Sequence, residues 1–210
     1  MNKLIIFDFD GVLADSLQVV FKMNQEAIAS VNRSITIEEY ASCFEEHINK
    51  RLAELLGLTD KQKHDMVEFK STLFPKYYNS ESVNLFPFAK DLIIKTKELG
   101  ELWIVSSSPS ELIYSILEKN GLSNFFSKII GQNRQPKNLV LQDALGKIKD
   151  NQVFFITDTT GDIKETRKIN IKILTLAVNW GFHNVRLLKK ENPDLIAQKP
   201  EDILDYVKSH

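Results

Sequence analysis

The chain has 210 residues, 43% hydrophobic and 26% charged, enough for one sizeable core with a smaller appended unit. The formal net charge is -1, from 27 Lys and Arg against 28 Asp and Glu, so there is no bulk electrostatic pull toward nucleic acid or an anionic membrane. Cys43 is the single cysteine, which excludes an internal disulfide, and the first apolar run is too short for a signal-peptide core or a membrane span. A soluble cytoplasmic protein is expected.

In chain order, residues 4–9 form a short apolar run ended by Gly11 and read as a buried strand of the parallel type. From about 15 to 84 the pattern changes and no strand is predicted. Leu17, Val20, Phe21, Ile28 and Val31 share one helical face, and Thr36 with Glu39 and Thr59 with Gln62 read as capping boxes. Gly57 ends a helix carrying Leu52, Leu55 and Leu56. This block, 15–84, reads as an insertion that packs as its own small helical domain, with 1–14 and 85–210 forming the rest.

Pro87 opens the next helix, which closes at Gly100, and residues 102–105 are a second buried strand. Ser108-Pro109-Ser110-Glu111 reads as a capping box with Pro at the first helical position, and Gly121 closes that helix. Weaker strands follow at 128–130 and 171–176, a third buried strand at 153–156, and helices near Lys137, at 161–168 and at 200–207. Strand alternating with helix predicts an α/β fold, a doubly wound parallel sheet covered on both faces, with the helical unit inserted after its first strand.

Polar residues gather at the ends of the three buried strands. The first ends in Asp8-Phe9-Asp10-Gly11-Val12-Leu13-Ala14-Asp15-Ser16, where Gly11 lets the chain turn away and leaves Asp8 and Asp10 at the strand's carboxyl end. Ligands of open α/β sheets bind outside that edge. The third ends in Thr157-Asp158-Thr159-Thr160-Gly161-Asp162 and brings two more carboxylates to it. Four acids crowded together call for a cation, and hard oxygen donors with waters suit Mg²⁺. The second ends in Ser106-Ser107-Ser108 before a helix start, where hydroxyls and backbone N–H groups suit a phosphoryl group, and Lys137 near another helix start supplies positive charge.

Taken together, these motifs resemble those of the haloacid dehalogenase-like superfamily. Asp8-x-Asp10-Gly-Val-Leu-x-Asp15-Ser16 is similar to its first motif, Ser106 after an apolar strand to its second, and Thr157-Asp158-Thr159-x-x-Asp162-Ile163 to its fourth, whose usual first residue is Gly. Asn179-Trp180-Gly181-Phe182, Asn192-Pro193-Asp194 and Pro200-Glu201-Asp202-Ile203-Leu204 resemble the C-terminal pattern of phosphoglycolate-phosphatase-like members. The third motif departs: relatives carry Lys-Pro where this chain has Gln135-Pro136, and the lysine role passes to Lys137 directly after.

The resemblance implies a Mg²⁺-dependent phosphatase acting on a small phosphorylated metabolite, of phosphoglycolate or sugar phosphate type, through an aspartyl phosphate. It implies Asp8 as nucleophile, Asp10 as acid and base, Ser106, Ser107 and Lys137 around the phosphate, Asp162 in support, and Mg²⁺ on Asp8, Asp158 and the Asp10 carbonyl. The inserted helices take the place of the family's cap, whose movement opens and closes the site. Asp10 argues against dehalogenation. Lys22 and Lys50 lack a motif for the Schiff-base lysine of a phosphonate hydrolase, and residues 45–52 lack the Arg-Gly stretch of a β-phosphoglucomutase-like isomerase. A non-catalytic phospho-ligand binder is favoured only by Gln135. His47, Asn49, Lys50 and Arg51 are candidate substrate-selecting residues, with a solvated helix face the preferred reading, and Trp180 and Phe182 read as loop packing.

Overall fold

The computed structural model describes residues 2–45, 48–79, 81–131, 135–146, 148 and 151–210. The chain opens with strand β1 (Asn2–Phe7) and the two-residue β2 (Ala14–Asp15). Four helices follow, α1 (Leu17–Ala29), α2 (Ile37–Ser42), α3 (Ile48–Leu56) and α4 (Asp60–Tyr77), before β3 (Asn84–Leu85). Alternation then begins: α5 (Ala89–Lys97), β4 (Glu101–Val105), α6 (Ser110–Lys119), β5 (Lys128–Ile130), α7 (Lys137–Leu145) and β6 (Asn151–Thr157). It ends with α8 (Thr160–Thr166), β7 (Ile173–Val178), α9 (Val185–Lys190), β8 (Leu195–Ala197) and α10 (Pro200–Ser209).

Six strands form one parallel sheet in the order β5-β4-β1-β6-β7-β8. The predicted doubly wound fold is borne out. Side-chain alternation explains why both faces are covered. Ile5 and Phe7 of β1, Leu102 and Ile104 of β4, and Phe154 and Ile156 of β6 belong to one apolar cluster. Their neighbours Leu4, Ile6, Trp103, Val105, Val153 and Phe155 belong to the cluster on the opposite face. The first cluster continues into the helical segment through Met23, Tyr40, Leu52 and Met66, so the inserted helices share one core with the sheet.

The helical segment leaves and rejoins the α/β portion at one place. β2 and β3 pair antiparallel, Ala14 opposite Leu85 and Asp15 opposite Asn84, so the outgoing and returning chains lie side by side. Inside the segment both predicted capping boxes form, Thr36 with Glu39 and Thr59 with Gln62. The box read at Ser108 and Glu111 does not. Pro109 precedes α6 with no side-chain cap, because the Ser108 hydroxyl is turned onto Asp10 instead. The helix expected to open at Pro87 begins at Ala89, and the first strand ends at Phe7. Strand β8, a three-residue edge, and the short helix α9 were not predicted. Among the described residues no helix is long and apolar enough to cross a membrane.

Phe154 is fully buried in β6, which pairs with both β1 and β7. Phe154→Ala is expected to lower the unfolding free energy by about 3–5 kcal/mol, read as a lower urea midpoint with an unchanged m-value.

Candidate active site

Strands β4, β1 and β6 are neighbours, and each ends one residue before a polar side chain: Ser106, Asp8 and Asp158. Parallel strands bring all three to the same edge. The chain winds from β1 to β4 and β5 on one side and to β6, β7 and β8 on the other, which places a crevice at that point.

Asp8 is buried and extends the ladder of β1, its N–H donating to the Ile156 carbonyl at 2.8 Å. Its Oδ1 accepts from the Phe9 N–H at 2.7 Å, and its Oδ2 accepts from Lys137 Nζ at 2.8 Å. The same Lys137 Nζ donates to Asp162 Oδ2 at 2.6 Å, and the Thr157 hydroxyl donates to that oxygen at 2.8 Å. Lys137 is the first residue of α7 and Asp162 lies in the first turn of α8, so two helix starts meet over the end of β1. The position after Gln135-Pro136 therefore brings its ammonium onto the Asp8 carboxylate.

Asp158 is 1% exposed, and its Oδ2 accepts from the Phe182 N–H at 2.7 Å. Two glycines make room for it. A Cβ at Gly11 would fall 1.9 Å from Asp158 Oδ2, and one at Gly181 2.4 Å from it. Gly11 also takes φ +72, a left-handed conformation that lets the chain turn off the strand end.

Asp10 is held by three hydroxyls. Ser16 donates to Oδ1 at 2.6 Å, Tyr78 donates to Oδ1, and Ser108 donates to Oδ2. The Tyr78 and Ser108 oxygens are themselves 2.8 Å apart. Tyr78 follows α4, so a residue of the helical segment reaches down to a carboxylate of the sheet edge.

The electrostatics follow from burial. Burial pushes the Asp8 carboxyl well above the usual carboxylate range; Lys137 opposes this, while Asp162 and Asp158 add to it. Burial pushes Asp158 up to about 7, against the pull of the Phe182 N–H. Burial also works against charge on Asp162, but Lys137 and the hydrogen bonds around its oxygens outweigh it and hold that carboxyl below its ordinary value. Lys137 is held above its ordinary value because Asp162 and Asp8 together outweigh its own burial.

One ammonium is thus shared by Asp8 and Asp162, and burial works against charge on all three carboxylates. A hard divalent cation fits this oxygen-only donor set. Among the described residues no three His, Cys, Asp or Glu side chains group so as to hold a metal by themselves. Mg²⁺ takes one or two carboxylates and fills the rest of its shell from waters and substrate.

The residues read from the sequence for catalysis, phosphate and metal, Asp8, Asp10, Ser106, Ser107, Lys137, Asp158 and Asp162, line one cavity of about 190 Å³. The opposite wall comes from the helical segment, including Met23, Tyr40, Phe44 and Phe74. Asn49, Lys50 and Arg51 are exposed, with Lys50 and Arg51 paired to Glu54, and do not line it; His47 lies outside the described residues. Trp180 packs as expected, its Nε1 donating to the Val12 carbonyl at 3.2 Å and its ring meeting Phe88. Phe182 does more than pack. It lines the cavity, with its ring 4.9 Å from that of Phe44.

A family model described as haloacid dehalogenase-like hydrolase matches residues 5–176. The chain belongs to that family. It is 26% identical to a phosphoglycolate phosphatase of Synechococcus elongatus over 213 residues, covering 98% of this chain and 97% of the relative. It is 21% identical to a phosphoglycolate phosphatase of Vibrio parahaemolyticus over 220 residues, covering 98% and 96%. A solved haloacid dehalogenase-like hydrolase from Streptococcus pneumoniae superposes with a TM-score of 0.83 at 23% identity, covering 98% of both chains.

Ser108 was read in the sequence as a phosphate-side hydroxyl and a helix cap, not as a partner of Asp10. Two other residues carried no sequence signal, and Tyr78 at the cavity is one. His183 is another: fully buried, it accepts from the Thr160 N–H on Nδ1 at 3.0 Å, so its Nε2–H donates to the Ala41 carbonyl at 2.9 Å. Burial holds this imidazole below its ordinary value, and in its neutral form it ties the start of α8 to α2.

Lys137→Met is expected to lower the unfolding free energy by about 3–5 kcal/mol, because Asp8 and Asp162 are left buried without their cation. Asp8→Asn is expected to act in the opposite direction. The folded Asp8 carboxyl lies above its unfolded value, so raising the pH ionises the unfolded chain first and removes stability, and the amide abolishes that loss. Urea midpoints of the wild type and both variants, at pH 7 in metal-free buffer, check the pair; a lower midpoint for Asp8→Asn contradicts the electrostatic account.

Proposed function

We propose that this protein is a Mg²⁺-dependent phosphatase that hydrolyses a small phosphorylated metabolite through a phosphorylated Asp8. The observation that carries the reading is that Asp8, paired with Lys137, lines one cavity together with Asp10 and Asp158. The names of the full-length relatives make phosphoglycolate one candidate substrate, and sugar phosphates are another class. Residues 15–84 act as a cap over a core of 1–14 and 85–210. The protein is assigned to the cytoplasm.

In this reading the Asp8 and Asp158 side chains and the Asp10 carbonyl would hold Mg²⁺, which when bound supplies charge neutralisation for the phosphoryl oxygens. Ser106, Ser107 and the Lys137 ammonium bind the phosphoryl group from the other side, and Asp162 keeps Lys137 in place. An Asp8 oxygen forms a bond to phosphorus as the bond to the ester oxygen breaks. Asp10 gives its proton to that leaving oxygen. It then takes a proton from water, whose oxygen attacks the phosphorus of the aspartyl phosphate, releasing inorganic phosphate and restoring Asp8. The hydroxyls of Ser16, Tyr78 and Ser108 fix the Asp10 carboxyl in position for both transfers.

Phosphate release from p-nitrophenyl phosphate and a panel of small phosphate esters tests this. Turnover is expected to require Mg²⁺, to stop with chelator, and to fall by roughly 10³-fold or more in Asp8→Asn. Turnover that survives either change would sink the proposal. Tyr78→Phe is expected to reduce kcat by about 10-fold with KM little altered, since it loosens Asp10 without touching the phosphate pocket. An unchanged kcat would remove Tyr78 from the machinery.

A further inference from the structure

The cavity's two walls differ in chemistry. The sheet edge contributes carboxylates, hydroxyls and Lys137, whereas the helical wall is largely apolar, with Val20, Met23, Phe44, Ile48 and Phe74. One cation interrupts that wall: Lys70 of α4, which lines the cavity and is half-buried. Among the described residues it has no hydrogen-bond or ion-pair partner. The polar neighbours Asn24 and Tyr40 are bonded to each other at 2.9 Å. Burial holds the Lys70 ammonium below its ordinary value, and among the described residues no carboxylate offsets it.

Position along α4 fixes where this cation sits. Lys70, Phe74 and Tyr78 are four residues apart and fall on one face, and the Phe74 and Tyr78 rings meet at 5.2 Å. Tyr78 donates to Asp10, so it marks the end of the cavity where the leaving oxygen would receive its proton. Eight residues of helix place the Lys70 backbone about 12 Å from that end. The lysine side chain spans part of this distance, and what remains is the length of a short leaving group.

An unpaired ammonium in apolar surroundings is unfavourable, and pairing with an anion relieves it. We infer that Lys70 is the specificity-determining residue of the cap: the substrate is a phosphate monoester whose leaving group carries a second anionic group that pairs with the Lys70 ammonium. The inference rests on the phosphatase reading above and deepens it. A leaving group with only hydroxyls leaves Lys70 unpaired and is disfavoured, which separates acidic leaving groups from neutral sugars.

Three esters of two-carbon leaving groups test it: 2-phosphoglycolate, ethylene glycol bisphosphate and the neutral 2-hydroxyethyl phosphate. Wild type is expected to favour the better anionic ester over the neutral one by about 10- to 100-fold in kcat/KM. The higher-ranked of the two anionic esters shows whether carboxylate or phosphate is the partner. Lys70→Met is expected to bring that ratio close to one, and Lys70→Arg to retain most of it. The Lys70→Met urea midpoint is expected to equal or exceed that of wild type, since an unpaired buried cation is replaced by an apolar chain of similar length. A ratio near one in wild type, the same ratio in wild type and Lys70→Met, or a lower midpoint overturns the role of Lys70 while leaving the phosphatase reading intact. Absence of turnover with all three esters and with p-nitrophenyl phosphate overturns the phosphatase reading, and the role of Lys70 with it.

Discussion

The ammonium of Lys137 between Asp8 and Asp162 is the interaction on which the rest of this site depends. Three carboxylates, Asp8, Asp158 and Asp162, are buried at the carboxyl edge of the sheet, where water cannot stabilise their charges. A single lysine at the first position of α7 is shared by Asp8 and Asp162, which leaves the three carboxylates short of positive charge. That shortage is a property of the fold: the end of β1, the end of β6 and the start of α8 converge there, and Gly11 and Gly181 let the backbone close around Asp158. The site is thus prepared to receive cations, and through them an anion.

Above this edge, polar contacts of different kinds tie the helical segment to the sheet side, among them those of Tyr78 and His183. Tyr78 reaches Asp10 directly, so the return of the chain from α4 is linked to the carboxylate two residues from Asp8. His183 holds α2 to the start of α8 through the Ala41 carbonyl and the Thr160 N–H, away from the carboxylates. Between them lies a largely apolar wall in which, among the described residues, Lys70 is the charged side chain. The polar groups of the sheet edge and the apolar lining opposite them therefore come from separate stretches of chain.

What could be read in advance reflects what short-range pattern encodes. Buried strands of a parallel sheet are continuous apolar runs, so β1, β4 and β6 were visible, and a polar residue directly after such a run must stand at the sheet's edge. Asp8, Ser106 and Asp158 were legible for that reason, and Asp10 and Asp162 followed from being two and four residues on. Lys137 was placed because it starts a helix beside a proline. β8 escaped because Leu195–Ala197 is too short to display a period, and the capping box at Ser108 was misread because the hydroxyl finds a better acceptor in Asp10 across the fold. Tyr78 and Lys70 were invisible for a further reason. Some sixty to seventy residues of mostly helical chain separate them from Asp8, and no spacing rule states which face of α4 turns toward the sheet.

The paired crossing at β2 and β3 has an evolutionary consequence. Because the chain departs at Ala14–Asp15 and returns beside itself at Asn84–Leu85, everything between is a loop in the topological sense, however large. Its length can change without altering the order of the six parallel strands. Drift in the inserted helices can then explore new leaving groups while the carboxylate edge is inherited unchanged, so lineages of this fold can diversify in diet without reinventing their chemistry.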